Sequence, residues 1–551
     1  MKERTESLQE SRSKNFDLVV IGGGITGAGV AQNAAARGLS VLVIEKTDFG
    51  AGTSSKTTKL IHGGLRYLEQ FHINLCRQLC EERERLKRLA PHLVKDFSFV
   101  LPFARHNTFF NFKATVGLTL YDVLTMSAGR GQSHAFLNAK KLATMAPALS
   151  TKYVGSGIKF HDAITDDTRM VLTVIKSACK KGAVAINYVE VTGFQKENGR
   201  ITAVKCHDRY SGEEFVVPCK MCVNATGVWS DEVCNKLETT PKKRISPSKG
   251  THIIVPASVF ETNTALFLPT KDNRFVFVVP WQHALMIGTT DQLYKGDIDR
   301  PHASNDEINY LLSVVNSYTE SHKLQASDVR GTFAGLRPLV NLAGENSDNT
   351  SSMSREHEIF QSPGGLINIA GGKLTSYRLM AEELMEKLVA KFGLQTKPAN
   401  TDIEMLGGWT SKDDFLARSV AIETKAKRLS IDPATIEHLI ANYGAEAQDV
   451  IDLVEQQPNL NERICANYPP IYAEVAYAVV SEMAVSLQDV LLRRTRLGLL
   501  NRRDSIAAAT KVTELMAKLL NWDDARKRAE ISAFEEEVTT IEGAELQPAP
   551  N

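Results

Sequence analysis

The stretch that most constrains this chain is LVVIGGGITGAGVAQNAAARGLSVLVIEK (18–46). Four apolar residues, Leu18 to Ile21, predict a buried parallel strand. Gly22, Gly24 and Gly27 follow at G-x-G-x-x-G spacing and open an Ala-rich helical run. Gly22 permits a tight turn, Gly24 lets backbone approach a pyrophosphate at the helix N-terminus, and Gly27 lets the helix lie close on the strand. Leu39 to Ile44 predicts a second buried strand. It ends at Glu45, 18 residues past Gly27, where a carboxylate can hydrogen-bond ribose hydroxyls. An acid there argues against a 2′-phosphate. A bare G-x-G-x-x-G also occurs in turns that hold nothing; here strand, helix, second strand and terminal Glu are all in register, which predicts a dinucleotide-binding α/β layer.

At 551 residues the chain has room for two or three domains. Its 65 basic and 64 acidic residues leave a net charge of +1, so no global field recruits nucleic acid. The run LLRRTRLGLL (491–500) carries three arginines without interleaved aromatics and reads as a solvated or interdomain ion-paired face. Eight cysteines lack framework spacing and nothing upstream resembles an export signal, which points to a reducing cytoplasm. Cys219 and Cys222 have no second pair and no nearby His, so they read as buried small hydrophobes; no metal site is expected. Residues 1–15 are polar and read as a disordered lead-in. No stretch approaches the roughly 18 apolar residues that span a bilayer, so any membrane role is peripheral.

The predicted class is α/β, or α+β overall. Glycine turns recur at strand ends at Asn224-Ala225-Thr226-Gly227 and at Gly371-Gly372 before a helix. Together with the first fingerprint they suggest one resident, elongated dinucleotide enclosed by a split domain over 16–95, 155–245 and 360–395. Residues 249 to 337 are mostly β-branched and aromatic runs between turns, read with an insertion rich in Phe, Leu and Met as a substrate domain over 96–154 and 246–359. Helical periodicity with caps near Asp432-Pro433 fills 403–545.

The set VVIGGGITGAGVAQNAAARGLSVLVIE, TSSKTTKLIHGGLRYLE, NATGVWSD, KGTHIIVP, GTTD, GLRPL and GGKLTSYR resembles the FAD-dependent glycerol-3-phosphate dehydrogenase family, and LQDVLLRRTRLGLL is similar to that family's helical cap. One mild departure is Thr57-Thr58 before Lys59. The resemblance implies a glutathione-reductase-like, Rossmann-type FAD domain, an antiparallel substrate sheet and a C-terminal helical cap. It implies oxidation of sn-glycerol 3-phosphate to dihydroxyacetone phosphate, with electrons passed to a membrane quinone from the inner face. A homodimer is left open. Two rivals are weighed: α-glycerophosphate oxidase, which gives electrons to oxygen, and a flavin-binding protein without turnover.

Noncovalent FAD is expected on Gly22, Gly24, Gly27 and Glu45, with the matching motifs adding Thr53, Ser54, Ser55, Gly63, Gly64, Ala225, Thr226, Gly227, Gly371, Gly372, Lys373, Leu374 and Thr375. Oxidising a secondary alcohol beside a phosphate requires a dianion clamp and a proton acceptor. Guanidinium forks match phosphate oxygens, which selects Arg337 and Arg355, with Arg66 joining them and Tyr67 as a hydrogen-bond donor. His62 and His252 are equal candidates for the base. Lys373 could stabilise an alkoxide or the reduced flavin. Phe103 to Met126 is a candidate docking segment for anionic lipid, or alternatively part of the substrate-domain core.

Overall fold

The computed structural model describes residues 1–64, 68, 72–104, 108–127, 133–238, 242–272, 274–320, 323–341 and 356–542. Its first sheet is built around Phe16–Ile21, which pairs in parallel with Val41–Ile44 on one side and Glu214–Asn224 on the other. Val184–Ile186 extends one edge, Ile367–Gly371 and then His357–Gln361 the other. The central strands are buried on both faces, as their unbroken apolar runs require. Helix Ile25–Ala36 lies against the sheet between helices Asp167–Lys180 and Tyr377–Phe392. The strands carrying the three glycine turns are thus neighbours in one sheet, although the turns lie some two hundred and then one hundred and fifty residues apart in sequence.

Turn chemistry links the hairpins of this layer. Asn198 and Gly199, both with positive φ (50° and 76°), join Val189–Glu197 to Arg200–Asp208, and Gly212 (φ 79°) turns the chain into Glu214–Asn224.

The second sheet contains Ile245–Pro256 flanked by Gly331–Val340 and Ala284–Gly288, and continues through Phe275–Trp281, Ala265–Pro269, Lys95–Ala104 and Val154–Ile164 to Leu60–Ile61. It is antiparallel except where Ala265–Pro269 meets Lys95–Ala104 in parallel. Two expectations are corrected here. The return to the first layer expected at 155 comes later, because Val154–Ile164 pairs along its length with Lys95–Ala104; the chain rejoins the first layer at the helix that Asp166 caps, accepting from Arg169 N at 2.9 Å. The region read as mostly strand also holds a helix, Asn305–Asn316, begun by a Ser304–Glu307 capping box.

Residues 1–15, expected to be disordered, are corrected as well: Arg4–Ser13 is a helix docked on the first sheet. It has no apolar stripe. Buried Ser7 and Ser11 allow close approach, and Arg4 anchors it, donating to Asp208 at 2.6 Å and to the Asn187 carbonyl at 3.2 Å.

Helices between Lys412 and Glu542 make the C-terminal part, joined to the rest through a buried ion network. Its arginines come from a π-helical stretch, Asp489–Arg494, and from Arg496, whose φ is 64°. Arg493 and Arg494 both donate to Asp48, at 2.7 and 2.6 Å. Arg494 also donates to the Glu482 carbonyl, while the Glu482 carboxylate takes Arg169 at 2.8 Å and Lys176 at 2.9 Å. Arg496 pairs with Asp166 at 2.9 Å and with Asp167, which in turn takes Lys59 Nζ at 2.9 Å. Burial pushes the Asp48 carboxyl up, but Arg494 and Arg493 outweigh it and hold it below the usual range. Asp166, likewise opposed by burial, is held at about 2, mainly by Arg496. The three-arginine run is therefore an interdomain ion-paired face and not a solvated one.

Candidate functional site

Two connected cavities lie where the layers meet. The longer, of about 660 Å³, runs along the carboxyl ends of the first sheet's strands; the smaller, of about 310 Å³, opens beside it under the second sheet. Thr53, Lys56, Thr57, Pro338, Gly371, Gly372, Lys373 and Leu374 line both.

The long cavity fits a dinucleotide. Gly22 adopts φ 108°, and a Cβ there would meet the Ala225 carbonyl oxygen at 2.7 Å, so the first and second turns can touch only at glycine. A Cβ on Gly27 would stand 1.9 Å from Gly22 O; Gly27 acts by packing and does not line the cavity. Gly24 is the helix N-cap and offers no side-chain cap, leaving the helix N-terminus toward the channel, with Ser54 Oγ taking Ile25 N at 3.0 Å. Glu45 Oε2 accepts from Gly23 N at 2.7 Å and Oε1 from Thr47 N at 2.8 Å. Oε1 also takes Thr47 Oγ1 at 3.0 Å, burial raises the carboxyl's pKa, and Oε2, with one donor, keeps lone-pair capacity for a ribose hydroxyl. Thr53, Ser54, Ser55, Ala225, Thr226 and Gly227 also line this channel. Arg493, Arg496, Leu499 and Glu537 from the C-terminal helices complete its wall.

The small cavity collects the chemistry. His62, Gly64, His252, Arg337, Gly371, Gly372, Lys373, Leu374 and Thr375 all line it. Gly63 between them is turned elsewhere: its N donates to Tyr121 Oη at 2.9 Å, and a Cβ would strike Cys80 Sγ. Arg66, Tyr67 and Arg355 lie outside the described residues. Lys56, Arg274, Arg337 and Lys373 face this space against Asp162 and Asp291, which makes it net cationic and suited to a dianion.

Arg337 projects from Gly331–Val340 across Gly250, where a Cβ would meet Nη2 at 2.5 Å. Its guanidinium donates to Asp291 Oδ1 at 3.3 Å and Thr289 Oγ1 at 3.2 Å, contacts that aim the fork. His252 sits in register with Gly288 and Phe333. Its ring stacks on Phe333 at 4.7 Å and 11°, over the bare Gly288. Nε2 lies 2.9 Å from Thr58 Oγ1, and Nδ1 is buried without a hydrogen-bond partner among the described residues. Burial, then the charges of Arg337 and Lys59, push its pKa well below that of a free imidazole, so the ring is neutral. His62 is held through backbone contact, its N donating to Thr375 Oγ1 at 3.2 Å.

Sequence reading missed Lys56, Thr58, Arg274 and Asp291. Asp291 and Thr289 stood in the quoted GTTD, and Thr58 in the departure Thr57-Thr58. That pair has two jobs: Thr57 binds Asp167 through N and Oγ1 at 3.1 and 2.8 Å, and Thr58 meets His252.

Comparison with known proteins agrees with this architecture. Residues 17–386 match the family described as FAD dependent oxidoreductase, and residues 367–527 match the C-terminal domain of alpha-glycerophosphate oxidase. The chain is 35% identical to a glycerol-3-phosphate dehydrogenase of Synechocystis, covering 96% of this chain and 97% of that protein. It is 31% identical to an aerobic glycerol-3-phosphate dehydrogenase of Staphylococcus aureus, over 98% and 97% of the two chains. Among solved structures, glycerol-3-phosphate dehydrogenase of Bacillus halodurans complexed with FAD superposes with a TM-score of 0.82 at 28% identity, covering 99% of each chain.

Proposed function

The chain belongs to the FAD-dependent glycerol-3-phosphate dehydrogenase family, and from that premise we propose that it oxidises sn-glycerol 3-phosphate to dihydroxyacetone phosphate and passes the electrons to a membrane quinone. FAD is the cofactor, and when bound it supplies the two-electron acceptor. The observation that carries the reading is the junction of the two cavities: a cationic pocket with a neutral histidine opens directly into the dinucleotide channel.

The roles follow from the residues. Arg337, aimed by Asp291 and Thr289, offers two parallel donors to the substrate's phosphate, and Lys56, Arg274 and Lys373 add positive field. His252, held neutral by burial and by the charges of Arg337 and Lys59, takes the hydroxyl proton at Nε2 as hydride leaves the same carbon. Thr58 steadies its Nε2 edge, since a hydroxyl can donate to a bare nitrogen and accept from a protonated one. The aliphatic and aromatic walls around this space exclude water.

Replacing Arg337 by alanine is expected to lower kcat/KM about ten- to a hundredfold, the effect of about 1.5–3 kcal/mol for a charged hydrogen bond. Unphosphorylated glycerol should be a poor substrate for wild type. If wild type and Arg337→Ala oxidised glycerol and glycerol 3-phosphate equally well, the phosphate clamp would be wrong.

The acceptor has a rival, since the C-terminal match carries the name of an oxidase. Quinone use is supported by the helix Thr108–Ser127. Leu118 and Tyr121 of that helix are buried, while Phe112, Val116 and Val123, on one outward stripe, are 69, 53 and 57% exposed. An apolar stripe of that kind suits the headgroup boundary of a bilayer. No described helix is long and apolar enough to cross one. Initial rates with a soluble quinone analogue should exceed those with dissolved oxygen alone. Stoichiometric peroxide at an undiminished rate without quinone would assign the oxidase.

A further inference from the structure

Proton removal needs His252 at one place and one angle, yet few contacts hold its ring. Stacking on Phe333 at 4.7 Å fixes the plane of the imidazole but not its rotation within that plane. Nδ1 meets no polar partner among the described residues, and the one hydrogen bond to the ring there is that of Nε2 with Thr58 Oγ1 at 2.9 Å. The direction in which the ring points is therefore set by where Thr58 stands.

Thr58 is the middle residue of Thr57-Thr58-Lys59, and both its neighbours are bound to one carboxylate. Asp167 Oδ2 accepts from Thr57 N at 3.1 Å and from Thr57 Oγ1 at 2.8 Å, and Oδ1 accepts from Lys59 Nζ at 2.9 Å. Thr57 Oγ1 also accepts from Lys59 N at 2.8 Å, which closes the turn. Lys59 has φ 58°, a left-handed conformation that a lysine keeps only where its surroundings hold it. The carboxylate is itself fixed. Asp167 is the fully buried first residue of the helix Asp167–Lys180, and its Oδ1 also takes Thr168 N at 3.0 Å and the Arg496 guanidinium from the C-terminal helices. These donors fill its lone-pair capacity, while Lys59 and Arg496 balance the charges of Asp166 and Asp167. The pairs of Arg496 with Asp166 and of Arg493 and Arg494 with Asp48 already dock the C-terminal helices, so the hold of Asp167 on Thr57 adds nothing to docking.

We propose that Asp167 is a positioning residue for proton removal: by holding Thr57 and Lys59 it aims the Thr58 hydroxyl between them at His252 Nε2, and so sets the angle at which the base meets the substrate. This rests on the reading of His252 as the base. Asp167 and Arg496 are not among the residues that line the small cavity, so both act on the chemistry from behind it. Through this one carboxylate the C-terminal helices reach the reacting hydroxyl as well as the cofactor channel.

The test uses the full-length, FAD-loaded enzyme and follows flavin bleaching by glycerol 3-phosphate in anaerobic stopped flow. Thr57→Val takes one hydrogen bond from Asp167 without leaving a buried charge unpaired. It should lower the bleaching rate constant at saturating substrate about tenfold, while the half-saturating concentration stays within about twofold of wild type. Thr57→Ser keeps the hydroxyl and should restore the wild-type rate. Because Thr57 also lines both cavities, the deciding arm is a double-mutant cycle: in the Thr58→Val background no hydroxyl is left to aim, and Thr57→Val should change the rate by less than about twofold. Asp167→Asn should follow the same pattern, and if it does not hold FAD the Thr57 variants decide alone. A Thr57→Val enzyme that bleaches at the wild-type rate, or that loses as much in the Thr58→Val background as in wild type, would overturn the proposal. A His252→Ala enzyme that bleaches at the wild-type rate would instead overturn the reading of the base, and this proposal with it.

Discussion

His252→Ala is expected to lower kcat by about 10²–10⁴, the contribution of a positioned general base, while the flavin spectrum of the purified protein stays that of bound FAD. The loss should lie in the rate of flavin bleaching at saturating glycerol 3-phosphate, because the imidazole is buried against Phe333 and is not part of the dinucleotide channel. The pH dependence has a definite sign. Burial, Arg337 and Lys59 lower the His252 pKa, so the base stays deprotonated as pH falls through 6.5. The acid limb of kcat/KM for wild type should therefore begin well below pH 6.5. Thr58→Val removes the hydroxyl at Nε2 and should lower kcat less than the loss of the ring does. A His252→Ala enzyme bleached at the wild-type rate would transfer the role to His62, which lines the same cavity.

The second large effect concerns stability. Arg494→Ala should destabilise the protein by about 3–5 kcal/mol, because it leaves Asp48 buried with only part of its charge compensated. Both side chains of that pair are fully buried, so the penalty is desolvation of a carboxylate and not the loss of a surface contact. Replacing both partners, as in Asp48→Leu/Arg494→Met, should cost less than the single change, which denaturant midpoints of the two variants would reveal. The pH window follows from the depressed carboxyls. Their stabilisation is fully present above the unfolded aspartate pKa of about 3.9 and is lost as pH falls toward the folded value of about 2 at Asp166. Equal midpoints for wild type and Arg494→Ala would remove the network from the account of what docks the C-terminal helices.

Much of this fold is written locally. The three glycine turns announce the first sheet because a strand end, a tight turn and a helix start each demand particular residues in sequence order. Asp432 was legible as a cap for the same reason, and it accepts from a backbone N–H of the helix it begins. The helix Asn305–Asn316 was legible too, through Ser304 and Glu307, but the surrounding β-branched runs masked it. The N-terminal helix could not be read: what folds it is an ion pair between Arg4 and Asp208, 204 positions apart. Thr58 is similar, since its hydroxyl acquires meaning only through His252, 194 residues away. His252 itself could be found as a histidine beside glycine in a β-branched run, although it lies inside the strand Ile245–Pro256 and not at its start, and its stacking and burial, which weigh for it over His62 in the reading proposed above, come only with the fold.

The long channel draws its lining from Ile21 at one end of the chain to Glu537 at the other, with Arg493 and Arg496 between. During synthesis the glycine turn at Gly22 emerges first, but the wall that encloses a dinucleotide is finished only when almost the entire polypeptide has left the ribosome. The two sides of the channel are thus made by stretches of chain that leave the ribosome far apart in time, and a chain halted before Asp489 would lack the part of the wall that Arg493, Arg496, Leu499 and Glu537 supply.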